Sequence, residues 1–454
     1  MKQLDLGKTS TNKIFYTYVI PSIFSMIFAT TASFIDSAFV GRFIGGEALA
    51  AITLLSPLMM ILNGVSVMIA IGGVTYAGIC RGREEKQKAN NYFNLTMLLT
   101  VIVAIAATVI FYLSSRYFNV FFNVEGTTLE YIKSYGLLMS LFFIFHMMNL
   151  ALTLFLNLDE KPVTVVIINS LTTIINTSLN YLFIVVYQMG IMGAALASGI
   201  SQVIPTVIFI VITARKSSWK FSLPQIKLRD VGQIFFNGSS ELISISSVAF
   251  AGVIINRIIQ ESVGISGVAA YSIAMQLMGL VVSFGFGVSD AIQAAVSLNY
   301  GAVKYNRVKS LLLKGLKINV LFGVILMMLS MLFSRQFASL LITDENTITL
   351  ASRILYFTSF SFIVIGANVV ISTYYTSVDS PILSGVISIL RAIVFLLIWL
   401  FTLPTFFGSD GIWLALTFAE FSTAITAFVI YKICPYGRSK VRNNNSGNVV
   451  FREA

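Results

Sequence analysis

Long apolar runs, separated by short charged or turn-rich breaks, dominate the chain from Ile14 to Ile433. A helix needs about 20 apolar residues to cross the hydrocarbon core of a bilayer. Twelve runs meet that need, beginning near Ile14, Glu47, Asn90, Leu129, Val163, Gly190, Val231, Gly267, Val308, Ile348, Ile382 and Gly411. The pattern predicts an all-α membrane protein of twelve transmembrane helices. The first run continues to Val40 without an Ala-x-Ala-like cleavage site, too long for a signal-peptide core, so it reads as a retained span.

The pattern also repeats at a shift of about 220 residues. Gly46-Glu-Ala-Leu-Ala matches Gly267-Val-Ala-Ala-Tyr, Asp159-Glu-Lys-Pro162 matches Asp379-Ser-Pro381, and Gly190-Ile191 matches Gly411-Ile412, each at the same span junction. Six spans per copy is an even number, so the copies share one orientation and relate by an axis along the membrane normal. Parallel repeats of this kind are found in transporters that alternate access by moving one half against the other. The expected division is a six-helix bundle over residues 1–221 and a second over 222–454 with a cytoplasmic tail. The joint, Arg215 to Asp230, is the longest inner loop, with five bases, Pro224 and Trp219. Its bases suit anionic headgroups, although an ordinary inner loop carries such charge as well. The Asn-rich tail after Pro435 reads as disordered.

Composition agrees with burial in lipid rather than water. Apolar residues make up 57% and charged residues 11% of the 454-residue chain, against about 25% charged in soluble domains. The net charge of +11 comes from bases lying between apolar runs, not from basic stripes on polar helices, so nucleic acid is excluded as a partner. With the amino terminus inside, 23 of the 30 Lys and Arg fall on the cytoplasmic side. Both termini are therefore expected in the cytoplasm. Cys80 and Cys434 give no disulfide framework.

Ionisable groups inside a membrane are costly and mark function by default. They are Asp36, His146, Glu241, Asp290, Arg391 and Glu420. Asp36 shares a helical face with Ser22, Ser25, Ala29 and Ser33, and span five presents Asn169, Thr172, Asn176 and Asn180 at the same spacing. Span six adds Ser198, Ser201 and Gln202 ahead of Pro205. If these faces converge, Asp36 gains oxygens that suit Na⁺, or a carboxyl poised for H⁺; the residues alone leave both open. Polar groups that merely join helices by hydrogen bonds are the structural alternative. Glu241, in Gly238-Ser-Ser-Glu, is a candidate cavity acid, and Asn157, His146 and Gln276 are further candidate cavity residues. Arg391 and Glu420, on consecutive spans, are expected to form an ion pair. An acidic interior favours cations, and abundant Phe, Tyr and Met suit broad amphiphiles.

Ile20-Pro21, Asp36-Ser-Ala-Phe-Val-Gly-Arg42, Ala48-Leu-Ala-Ala51 and Asn157-Leu-Asp-Glu-Lys-Pro162 resemble the multidrug and toxic compound extrusion (MATE) family over essentially the whole chain. The acid in span one and Gly238-Ser-Ser-Glu241 look like the bacterial drug exporters of staphylococci. The resemblance implies a V-shaped pair of six-helix bundles in a bacterial plasma membrane. It also implies export of organic cations such as drugs, dyes and disinfectants, in exchange for H⁺ or Na⁺ and without a further cofactor. Carried over by position, the cation site falls on Asp36, Asn176, Asn180 and Ser198, with Na⁺ held at Asp36, Asn176 and Asn180 if Na⁺ binds. Relatives that bind Na⁺ often have an aspartate in place of Asn180, which favours H⁺ here. The expected assembly is a monomer. A flippase for lipid-linked precursors would need several bases in the cavity, and only Arg391 lies deep. A membrane lipid enzyme would need clustered His, Asp or Cys, and the chain has one His and two Cys. No phosphate-binding loop is present, so ATP is not the expected energy source, and the chain reads as a transporter, not an enzyme.

Overall fold

A computed structural model describes residues 6–7, 9–122, 124–339 and 344–436, with side chains except at 27, 29–34, 37, 38, 265, 266 and 269. The side chains of the stripe positions Ala29 and Ser33, and the tail beyond Tyr436, lie outside what is described. Within them every regular element is helical. The first six predicted spans form α1 (Thr11–Phe43), α2 (Gly46–Gly82), α3 (Lys86–Ser114) with the short α4 (Phe118–Phe122), α5 (Thr127–Ser140) with α6 (Phe143–Leu158), α7 (Pro162–Asn180) and α8 (Gly190–Lys216). The second six form α9 (Leu228–Ser262), α10 (Ile265–Gly301), α11 (Tyr305–Ser339), α12 (Glu345–Ser359) with α13 (Phe362–Ser377), α14 (Pro381–Ile389) with α15 (Phe395–Phe407), and α16 (Ser409–Ile433). All twelve begin within four residues of the positions read from hydropathy, mostly earlier. The apolar run marks only the hydrocarbon crossing, while the helix keeps its hydrogen bonds out into the headgroup layer.

Nine described helices are long and apolar enough to cross a membrane, and two more crossings come from bent pairs. The pairs are α5 with α6, bent by 49°, and α12 with α13, bent by 53°. α1 supplies a further 33-residue helix, about 50 Å long at 1.5 Å per residue. The bends at Leu141–Phe142 and Phe360–Ser361 carry no proline, so hydropathy could not show them. α7 runs on into a π turn at Tyr181–Val186, and a second π turn, Leu390–Val394, joins α14 to α15.

Helix starts fix the register of the duplication. Gly46 and Ile265, Lys86 and Tyr305, Phe143 and Phe362, Pro162 and Pro381, and Gly190 and Ser409 are each 219 residues apart. The sequence match of Gly46 with Gly267 is thus two residues out. The equivalent glycines are Gly45 and Gly264, which turn the chain into α2 and α10 at φ of 122° and 88°, where a side chain would be strained.

The chain divides into two compact units, Met1–Gly238 and Ser239–Ala454. The division falls inside α9, beyond the linker position at 221 read from sequence. The first turns of α9 belong with the first unit because they press on α2: a Cβ at Gly72 would collide with the Ile234 carbonyl, and one at Gly238 with that of Met68. The first unit closes around Val40, Leu55, Phe111, Phe118, Ile132 and Phe143. The second closes around Ile259, Ile354, Phe362, Leu400 and Trp413, with Tyr271 stacked on Trp413 at 6.1 Å.

Candidate functional site

In the first unit α1 packs along α7, and this contact brings Asp36 to the asparagine stripe. Asn180 Nδ2 donates to Asp36 Oδ1 and lies 3.4 Å from Asn176 Oδ1. Asn176 also hydrogen-bonds the Asp36 carboxyl. Asn176 and Asn180 are buried and Asp36 is half-buried. Spacing places 176 and 180 on one face of α7, so both amides reach a single carboxylate. Tyr135 of α5 adds a hydroxyl within electrostatic reach of Asp36 and is hydrogen-bonded with Ser198 of α8. Sequence reasoning missed Tyr135, one of 18 tyrosines in the chain with no polar stripe around it. Among the described residues no base pairs with Asp36. At the positions 219 residues on from Asp36, Tyr135, Asn176 and Asn180 stand Ile255, Ile354, Phe395 and Trp399, all part of the apolar packing of the second unit, and only the Ser198 position keeps a hydroxyl, in Thr417. The polar cluster is therefore a specialisation of the first repeat.

The second unit holds its own buried groups. Arg391 Nε donates to Glu420 Oε1 at 2.8 Å, and Asn368 Nδ2 donates to Glu420 Oε2 at 2.7 Å and to the Glu420 carbonyl at 3.0 Å. Glu241 is buried and accepts from Thr376 Oγ1 at 3.0 Å. Thr376 continues to Ser384, Ser384 to Ser372 and Ser372 to Ser388 through contacts of 3.0, 3.0 and 3.1 Å. A cavity of about 10 Å³, lined by Glu241, Ser372, Ser388, Asn368 and Arg391, has the room one water molecule requires. Asp290 of α10 lies within electrostatic reach of Glu241. Neither Glu241 nor Asp290 pairs with a base among the described residues.

The remaining candidates lie apart from these clusters. His146 Nε2 meets Asn63 Oδ1 of α2 at 3.3 Å, a contact that joins α6 to α2. Asn157 is buried at the end of α6, where its carbonyl accepts from Tyr18 at 3.2 Å. Gln276 is exposed on α10.

The turn after α6 is a second hub of the first unit. Asp159, fully buried at its side chain, lies 3.6 Å from Arg81, is paired with Lys161, and accepts from Ser217 Oγ at 2.8 Å and from Ser218. Burial alone would raise this carboxyl. Hydrogen bonds from Lys161, Ser218 and Ser217, with the Lys161 charge, outweigh it and hold the group below the usual aspartate range. Trp219 donates to the Phe155 carbonyl at 2.9 Å and lies under Arg81 at 5.5 Å.

The comparisons with known proteins agree with this architecture. The MatE family model matches twice, at residues 21–182 and 242–402, once in each repeat. The chain is 25% identical over 401 residues to the probable multidrug resistance protein YoeA of Bacillus subtilis, covering 84% of this chain and 85% of that one. It is 21% identical to the multidrug export protein MepA of Staphylococcus haemolyticus, covering 94% of each. Among solved structures, a MATE in complex with MaL6 superposes with a TM-score of 0.89 at 19% identity, over 95% of this chain and 98% of that one. The outward-facing form of a multidrug resistance MATE family transporter gives 0.90 at 18%, over 95% and 97%. With both repeats matched by the one model and the helical duplication on view in the fold, the chain belongs to the MatE family of membrane transporters.

Proposed function

We propose that the protein exports organic cations by antiport, and that Asp36 is the group at which the driving ion, H⁺, is taken up and released. One observation carries the reading: a carboxylate fixed between two helices by Asn176 and Asn180, with no basic partner among the described residues. A charge held only by neutral dipoles can be neutralised without first breaking an ion pair. Protonation turns the charge-assisted bond from Asn180, worth about 1.5–3 kcal/mol, into a neutral one worth about 0.5–1.5. The contact between α1 and α7 then loosens and the transporter shifts between states of different accessibility. Asp36 is the one acid in the cluster with Asn176, Asn180, Tyr135 and Ser198, which supports H⁺ over a Na⁺ site built on two carboxylates. Na⁺ at Asp36, Asn176 and Asn180 is the second reading, favoured by the oxygens of the same residues.

Cation preference follows from charge balance. Arg391 and Glu420 neutralise each other, which leaves Asp36, Glu241 and Asp290 as the unneutralised deep charges. The names of the relatives, multidrug resistance and multidrug export, support drugs and similar compounds as cargo. The same reading places the chain in a bacterial plasma membrane, as a monomer with both termini in the cytoplasm. A pH unit supplies about 1.4 kcal/mol and 100 mV about 2.3 kcal/mol per net charge moved, so one proton per monovalent cation sustains about a tenfold gradient and two protons roughly several thousandfold.

The test is uptake of a fluorescent organic cation into inside-out vesicles under a pH gradient alone and a sodium gradient alone. The native chain should respond to the pH gradient and Asp36→Asn to neither. Normal transport by the variant under both gradients would overturn the assignment, and a response to sodium alone would replace H⁺ with Na⁺.

A further inference from the structure

The linker from α8 to α9 is not a loose tether. Its backbone is fastened to α3 by three asparagines. Asn90 Oδ1 accepts from Lys220 N at 2.8 Å, and Asn90 and Asn94 both donate to the Lys220 carbonyl at 2.9 Å. Asn94 Oδ1 accepts from Ser222 N at 2.9 Å, and Asn91 pairs with Gln225 N and O at 2.7 and 3.2 Å. Trp219, buried against Phe93 and Phe155, pins the start of the segment.

What the fastened strip turns outward is not the surface of an ordinary polar loop. Leu223 is 98% exposed, Leu228 89% and Ile226 64%. Around them Arg215, Lys216, Lys220, Lys227 and Arg229 are all exposed, and none forms an ion pair among the described residues. No acid occurs from Arg215 to Arg229. By contrast, the loop at Arg83–Lys88 contains Glu84 and Glu85, and Lys88 lies 3.5 Å from Glu85. The strip connects the ends of two membrane-crossing helices, so it lies at headgroup level. Large apolar side chains held outward there, on an already ordered backbone, match the acyl boundary, and unpaired bases match anionic phosphates.

We propose that Arg215–Arg229 is a docking strip for the anionic lipid of the cytoplasmic leaflet, with Leu223 and Leu228 inserted among the acyl chains and the five bases on the headgroups. The cytoplasmic placement rests on the orientation proposed above. For that reason both measurements start from the full chain reconstituted in vesicles with phosphatidylglycerol equally in both leaflets, the first after extraction into detergent, so that neither outcome depends on sidedness.

Two measurements decide it. Phosphatidylglycerol retained through detergent purification should fall several-fold when Arg215, Lys216, Lys220, Lys227 and Arg229 are changed to Gln, and stay unchanged when Arg83, Lys86 and Lys88 are. Equal retention by both variants overturns the headgroup contact. Separately, the extra indole in Leu223→Trp should be quenched by brominated phosphatidylglycerol, whereas a water-like, unquenched emission overturns the insertion. Leu223 packs against nothing, so this variant leaves the fold intact.

Discussion

Asp36 was legible as a candidate because a carboxylate in an apolar run stands out, and Asn176 and Asn180 because they share its spacing. Their meeting is a matter of packing between α1 and α7 that no periodicity states. Asn180→Ala should lower coupled transport about tenfold, the effect of losing roughly 1.4 kcal/mol, with little change in the amount inserted in the membrane; an unchanged rate at equal protein would deny Asn180 its part. The Arg391–Glu420 pair calls for a different outcome. Glu420→Gln leaves the half-buried Arg391 guanidinium without its counter-charge, a loss of at most about 3–5 kcal/mol, so its thermal unfolding midpoint in detergent should drop below that of the native chain. Changing both together, Arg391→Met with Glu420→Leu, should recover most of the difference. Tyr135, Asn63 and Asn368 were invisible in the sequence because a single polar residue in an apolar helix shows neither its rotation nor its neighbour.

At the scale of elements, helix existence was readable and helix interruption was not. The bends between α5 and α6 and between α12 and α13 fall where the chain has no proline, so no residue type announces them. Close helix approach is a second property that only coordinates reveal. Gly238→Ala should weaken the contact of α9 with α2, because its Cβ would meet the Met68 carbonyl and backbone yields less readily than a side chain; a cost of about 1–3 kcal/mol is expected, seen as a lower unfolding midpoint. The turn after α6 gives a pH statement. Asp159 is held below the usual aspartate range, so its contribution is complete above that range and fades only as pH falls through the lowered value. The Ser218 amide donates to Asp159 Oδ1 at 3.2 Å, so its hydrogen-exchange protection should be flat from about pH 5 to 8 once the intrinsic exchange rate is allowed for. In Asp159→Asn it should fall by about ten- to a hundredfold, the loss of a charge-assisted bond. Protection unaltered by the substitution would remove Asp159 as the anchor of the linker.

For the whole molecule, duplication produces two halves of one helical plan with different chemistry: a carboxylate among amides in the first, an ion pair and two further acids in the second. Antiport driven at Asp36 predicts that raising the imposed pH difference by one unit multiplies the limiting drug gradient about tenfold per exchanged proton; a gradient indifferent to pH would sever coupling from Asp36. The sequence by itself determined the number and order of crossings, the duplication and the short roster of buried charges, since lipid penalises each polar group where it stands along the chain. Tertiary structure decided which of those charges meet, where helices break, and that the division between units falls inside α9. Those outcomes depend on side-chain direction and on close contact between segments far apart in the chain, and one-dimensional patterning records neither.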